Sequence, residues 1–381
     1  MLRRSFAMTA VLSACALLGS LAATGSGQAH STGSGQARIS NGQVTARAAG
    51  ALAQTFRSIV AAEADVAWIG YAVPVKDRGR TMCCWSNGSS SFSGSMSSTD
   101  APCCGSCRIE PAATASPGAA TAATPSGPVR LEGSERMLVL FRVASRQVER
   151  IRTFSEDCEI DAGGKPVRWL EAVNPVDSVA LLESMVRDEP ARKSRITSGA
   201  LAALAQHADA SAGAAITRLA RDHAAPAVRG EALFWMAQRD DAGAPDAIIA
   251  ALERDPAAAV RKRAVFALSQ LKNDAGIEPL IRVSRGHADA VVRGEAIFWL
   301  GQKAGRKAAG MITEAIEKDP ETDVKRRAVF ALSQLPKDEG VPLLIDVARK
   351  NTNPAVRKQA IFWLGQSRDP RAIEFFAEIL K

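Results

Sequence analysis

Apolar positions in the second half of the chain recur at helical spacing, and they do so in phrases that repeat. Val228-Arg229-Gly-Glu-Ala-Leu-Phe-Trp-Met-Ala-Gln238 is followed by matching phrases that open at Val260, Val292, Val324 and Val356, each one equal step after the last. A period of about 32 residues without strand-like alternation predicts stacked helix pairs, each burying its apolar face only against its neighbours. Ile196 to Gln206 is a weaker copy, so about six repeats are expected. In each phrase the Val, the Ala four residues on and the position seven on share one face of a second helix. That seventh position alternates, Trp235, Ala267, Trp299, Ala331, Trp363, so the interlocking unit is a double repeat.

Before the repeats the pattern changes. Ala46 to Ala62 has helical spacing, with Leu52, Phe56, Ile59 and Val60 on one side. Val66 to Val75, Met137 to Val143, Val148 to Phe154 and Val167 to Leu170 read as strands, the middle two forming a hairpin around Ala144 to Gln147. These predict a small antiparallel sheet with one helix, an α+β domain over 44–173. Asn174-Pro175-Val-Asp177 then caps a helix over Ser178 to Arg187, which opens the solenoid, 174–381.

The phrase Val-Arg-x-x-Ala-x-x-x-Leu, with Asp255-Pro256 and Asp319-Pro320 ahead of it, resembles the bacterial HEAT-like repeat, also called the phycobilisome-lyase type. The resemblance covers roughly the C-terminal half. It implies a mainly α fold, an α-α superhelix behind a small α+β domain, with the second helices on the concave side. For function it is broad, because such repeats occur in adaptors, bilin lyases, hydroxylases and DNA glycosylases. The domain over 44–173 carries no resemblance of this kind.

Residues 1–30 read as a signal peptide: Arg3 and Arg4, an apolar run from Phe6 to Ala23, and small residues near its end. An exported bacterial protein, periplasmic or extracellular, is expected. Leu12-Ser-Ala-Cys15 also matches a lipobox, which offers a lipid anchor at Cys15 and an outer-membrane location, although the apolar run continues past it. Residues 31–43 read as a flexible tether and 111–128 as a linker. Cys83, Cys84, Cys103, Cys104, Cys107 and Cys158 are an even set, which in an exported chain reads first as three disulfides of unassigned connectivity. The rival is a thiolate metal site at Cys104-x-x-Cys107, disfavoured because no second pair of that spacing and no nearby His accompany it. No metal and no cofactor is expected.

The net charge of +8 is concentrated in the repeats, where 191–381 holds 30 basic against 23 acidic side chains. That interspersed excess attracts acidic partners but falls short of a nucleic-acid footprint. Three rows on the second helices are candidate functional positions. Glu231, Arg263, Glu295 and Arg327 alternate in sign and predict a charge ladder between repeats, ending in Gln359. Phe234, Phe266, Phe298, Phe330 and Phe362 form an aromatic row, and Gln238, Gln270, Gln302, Gln334 and Gln366 an amide row one turn further. Together they could form a groove for an extended peptide, with amides bonding main chain and rings covering apolar side chains. Phe as core and Gln as a cap for the neighbouring turn is the competing structural reading. Arg229, Arg261, Arg293, Arg357 and Lys325 are expected to bond Asp and carbonyl groups of adjoining turns.

No catalytic motif is present: Gly-x-Ser-x-Gly is missing, and His207, His223 and His287 form no His-Glu pairs. The favoured reading is a monomeric interaction scaffold or adaptor for a protein partner. The alternative is a lyase-like chromophore binder, or a thiol oxidoreductase using the cysteine cluster.

Overall fold

The computed structural model describes residues 37–77, 107–110, 134–188 and 194–380. Strands β1 (Arg38–Ser40), β2 (Gln43–Ala48), β3 (Ala67–Pro74), β4 (Cys107–Arg108), β5 (Arg136–Ala144), β6 (Gln147–Ser155), β7 (Glu159–Asp161) and β8 (Pro166–Glu171) accompany one helix, α1 (Leu52–Ala62). Five of the strands form a sheet in the order β2-β8-β3-β5-β6, and β1-β7-β4 form a smaller one. The β5–β6 hairpin turns at Ser145 and Arg146, both left-handed, as a two-residue turn that matches strand twist requires.

The expected antiparallel sheet is in fact mixed, since β2 runs parallel to β8 and β8 parallel to β3. Two further expectations are corrected. Arg38–Ser40, within the expected tether, is a strand parallel to β7, and strand Gln43–Ala48 takes in the first three residues, Ala46 to Ala48, of the stretch with helical spacing, so α1 starts only at Leu52. In both cases pairing with chain more than a hundred residues away decides the conformation.

Strand alternation sorts side chains to the two faces of the large sheet. Ile69, Tyr71, Val73, Met137, Val139, Phe141 and Val143 face one way with Leu52, Phe56 and Ile59 of α1. Trp68, Ala72, Leu138, Leu140 and Phe154 face the other, with Ile109, Ile160 and Ala162 of the small sheet and its flanks.

Thirteen more helices follow among the described residues. They pair as α2 (Pro175–Arg187) with α3 (Ser194–Gln206), α4 (Ala210–Asp222) with α5 (Pro226–Arg239), and α6 (Ala244–Arg254) with α7 (Ala258–Ser269). Then come α8 (Ile277–Gly286) with α9 (Ala290–Ala304), α10 (Arg306–Lys318) with α11 (Thr322–Ser333), α12 (Lys337–Lys350) with α13 (Pro354–Ser367), and α14 (Pro370–Ile379). Asn174, Asp209, Asp289, Asn353 and Asp369 cap helix N-termini through their side chains. The second helices α3, α5, α7, α9, α11 and α13 pack in one continuous layer. Inside it Val260, Ala264, Val265 and Leu268 are buried, as are their counterparts in the other repeats except Ile361 of α13, which is exposed.

The sheet and the repeats share one apolar core, and the described residues form one compact unit. At the junction α3 lies against β6, Ser178 donates to the Tyr71 hydroxyl at 3.0 Å, and Val75 bridges to His207. Lys76 at the end of β3 donates to the Arg239 carbonyl at 2.7 Å and pairs with Asp241.

Candidate functional site

The Val-Arg phrase opens α5, α7, α9 and α13, and in the first three the Arg ties its own turn to the next repeat. Arg229 donates through Nε and Nη2 to both oxygens of Asp255 at 2.7 and 2.9 Å, and through Nη1 to the carbonyls of His223 and Ala224. Arg293 repeats the arrangement with Asp319 at 2.8 and 3.0 Å and the carbonyls of His287 and Ala288. Arg261 bonds Asp289 and its own turn, while Arg357 and Lys325 bond backbone carbonyls. The Arg229 bonds hold the Asp255 carboxyl below the usual carboxylate range. For Asp319 burial pushes upward, and the Arg293 bonds with a backbone N–H outweigh it, so its pKa also falls. These Arg side chains are structural ties between repeats.

The candidate binding residues lie beside those ties on the exposed side of the second-helix layer. Phe234 and Phe266 stack with centroids 5.8 Å apart and planes within 5°, and Phe298 and Phe330 stack at 5.7 Å and 2°. Trp299 joins the two stacks, 4.9 Å from Phe266 and 5.0 Å from Phe298, and Trp363 joins Phe330 to Phe362 in the same way. The result is an unbroken row of rings. Its phenylalanines are half-buried, apart from the exposed Phe362, whereas the neighbouring core positions are closed to solvent. Gln302, Gln334 and Gln366 are exposed, and Gln238 and Gln270 half-exposed. Gln270 and Gln334 donate to the hydroxyls of Ser269 and Ser333.

In the charged row, Arg327 donates to Glu295 at 2.9 Å. Arg263 lies over the Phe266 ring at 5.5 Å. Both arginines cross glycines of the preceding helix: a Cβ at Gly294 would stand 2.5 Å from Arg327 Cδ, and one at Gly230 3.0 Å from Arg263 Cγ. The glycines were not singled out from the sequence, although their position, two repeats apart and two before each Ala, was available.

The histidines bond main chain. His223 Nδ1 accepts from Ala225 N–H with Nε2 at 3.2 Å from the Val186 carbonyl, and His287 Nδ1 accepts from Asp289 N–H. His207 is fully buried at the junction. Among the described residues no three His, Cys, Asp or Glu side chains converge on a metal position. Cys158 is buried beneath the small sheet, and Cys107 lies in β4. Cys83, Cys84, Cys103 and Cys104 lie outside the described residues, as do Cys15, 1–30 and the linker 111–128. No described helix is long and apolar enough to cross a membrane.

Stacked helix pairs tied turn to turn by Arg–Asp pairs, with one continuous layer of second helices, define an α-solenoid repeat protein. The C-terminal region is composed of HEAT repeats: the family model so described matches residues 214–301 and 309–381. Among solved structures the chain is similar to YibA of E. coli, at 21% identity over 54% of this chain and 76% of that one, TM-score 0.33. It is similar to the CpcE–CpcF complex of phycocyanin lyase from Nostoc sp. PCC7120, at 22% identity over 41% and 98%, TM-score 0.33. Human deoxyhypusine hydroxylase in complex with glycerol matches at 19% identity over 53% and 77%, TM-score 0.23. No curated protein matches the chain significantly.

Proposed function

We propose that this protein is an exported, monomeric scaffold or adaptor that holds an extended segment of a protein partner along its second-helix wall. HEAT repeats are consistent with protein binding. The observation that carries the reading is the unbroken ring row from Phe234 to Trp363, half-open to solvent and bordered by amides. An apolar strip of this kind beside hydrogen-bonding side chains fits a main chain with alternate apolar residues. The leader at 1–30 supports export, and the six cysteines beyond it support an oxidised sheet region.

The test is the triple variant Phe266→Ser, Phe298→Ser, Phe330→Ser, compared with the parent chain in capture from envelope extract. The expected outcome is lost capture by a chain that still unfolds cooperatively, with stability lowered by about 3 kcal/mol for three half-buried rings. Undiminished capture with a much lower melting temperature would show the rings to be core and sink the reading.

A further inference from the structure

We propose that the wall is a two-site receptor for an acidic extended segment whose two apolar anchors lie six residues apart, a refinement that rests on the scaffold reading. The rings do not form five equal sites. Phe234, Phe266 and Trp299 make one group, and Phe298, Phe330 and Trp363 make its copy, with the same stacking distances and tilts to within a few tenths of an ångström and about ten degrees. Two equivalent apolar platforms therefore stand two helix steps apart.

That separation sets the ligand's register. Adjacent packed helices lie 8–10 Å apart, so two steps span about 18 Å. An extended chain rises about 3.3 Å per residue, which makes the span between five and six residues. Both anchors must point at the wall, and side chains of a strand alternate, so the number has to be even. Six is the even value that fits.

The borders set the charge. On the N-terminal side of the rings the second helices carry Lys262, Arg263, Arg326, Arg327 and Lys358 against Glu231, Glu295 and Asp323. Glu295 pairs with Arg327 and Asp323 with Arg326, which leaves Lys262, Arg263 and Lys358 against Glu231, and Gly230 and Gly294 occupy the remaining places in that row. On the other side the Gln row is neutral. A ligand meeting a cationic border and a neutral one is favoured if it carries Asp or Glu between its anchors. The amide row supplies donors and acceptors for its main chain, with Gln270 and Gln334 already oriented by their serines.

The experiment uses the full chain and fluorescein-labelled synthetic peptides rich in Glu and Ser, with two Leu anchors separated by four to eight residues. Binding is read by anisotropy. The six-residue spacing should bind best, about tenfold tighter than five or seven, because only there do both platforms engage one chain. Replacing Glu by Lys in that peptide, or introducing Lys262→Glu with Arg326→Glu, should weaken it about tenfold by reversing the field. The double charge variant changes surface side chains and should keep the parent melting temperature, which guards against loss by misfolding. Equal binding at all spacings, or a preference for the Lys peptides, overturns the two-site acidic register. So does the absence of peptide binding while envelope capture still depends on the three phenylalanines, and in that case the scaffold reading survives. If neither peptides nor envelope partners depend on the rings, both readings fall.

Discussion

The Arg–Asp ties show how one residue pair fixes the repeat spacing. Arg293 and Asp319 are almost fully buried, and each forks onto the other with two hydrogen bonds. Replacing Arg293 with Met removes the cation and leaves a buried carboxylate with its partner gone, which should cost about 3–5 kcal/mol. Urea unfolding of Arg293→Met and of the double variant Arg293→Met, Asp319→Leu tests this. The double variant should recover much of the loss, and equal losses would show that the pair's carbonyl bonds matter more than its charge. That the Arg bonds neighbouring turns was legible in the sequence, because the phrase recurs at fixed spacing with Asp-Pro in the turn ahead of it. Why Arg263 lies over Phe266 while Arg327 meets Glu295 was not, since it depends on side-chain paths across Gly230 and Gly294.

Among the elements, the helices were readable and the first strands were not. Repetition printed the same apolar face five times, which averages out local ambiguity. Arg38–Ser40 and Gln43–Ala48 have no such support: they are short, largely solvent-facing and held by parallel pairing with β7 and β8. Turns between helices impose their own demands. At Gly276, which precedes α8, a Cβ would fall 1.8 Å from the Leu268 carbonyl oxygen, and at Gly340, its counterpart two repeats on, 2.4 Å from that of Leu332. Neither position has a left-handed backbone, so contact alone requires glycine. Gly276→Ala should lower stability by about 1–3 kcal/mol as the α7–α8 turn is forced open. Gly310→Ala, in α10 with open space at its Cβ, should raise it by up to about 1 kcal/mol. Thermal melts of the two variants distinguish packing from helix propensity, and a matching sign would refute the contact argument.

For the molecule as a whole, the sheet and the solenoid are joined through a group that titrates. Burial holds the His207 imidazole down to about 4, against attraction from Asp209 and with Arg239 close by. Its Nδ1 accepts from the Asp209 N–H, and Nε2 has no hydrogen-bond partner among the described residues. The unfolded chain protonates this ring below about pH 6.5, while the folded chain resists until about 4. Stability is therefore full above pH 6.5 and declines as the pH falls toward 4, by roughly 3 kcal/mol in all. His207→Asn keeps an acceptor for the Asp209 N–H and cannot titrate, so its unfolding free energy should change less between pH 7 and 5. A slope equal to the parent's would assign the titration elsewhere. The alternation of Trp235, Ala267, Trp299, Ala331 and Trp363 also constrains how such a protein changes size over generations. Losing a lone repeat would bring like against like, bulky on bulky or small on small, so lineages should lengthen or shorten only in even steps.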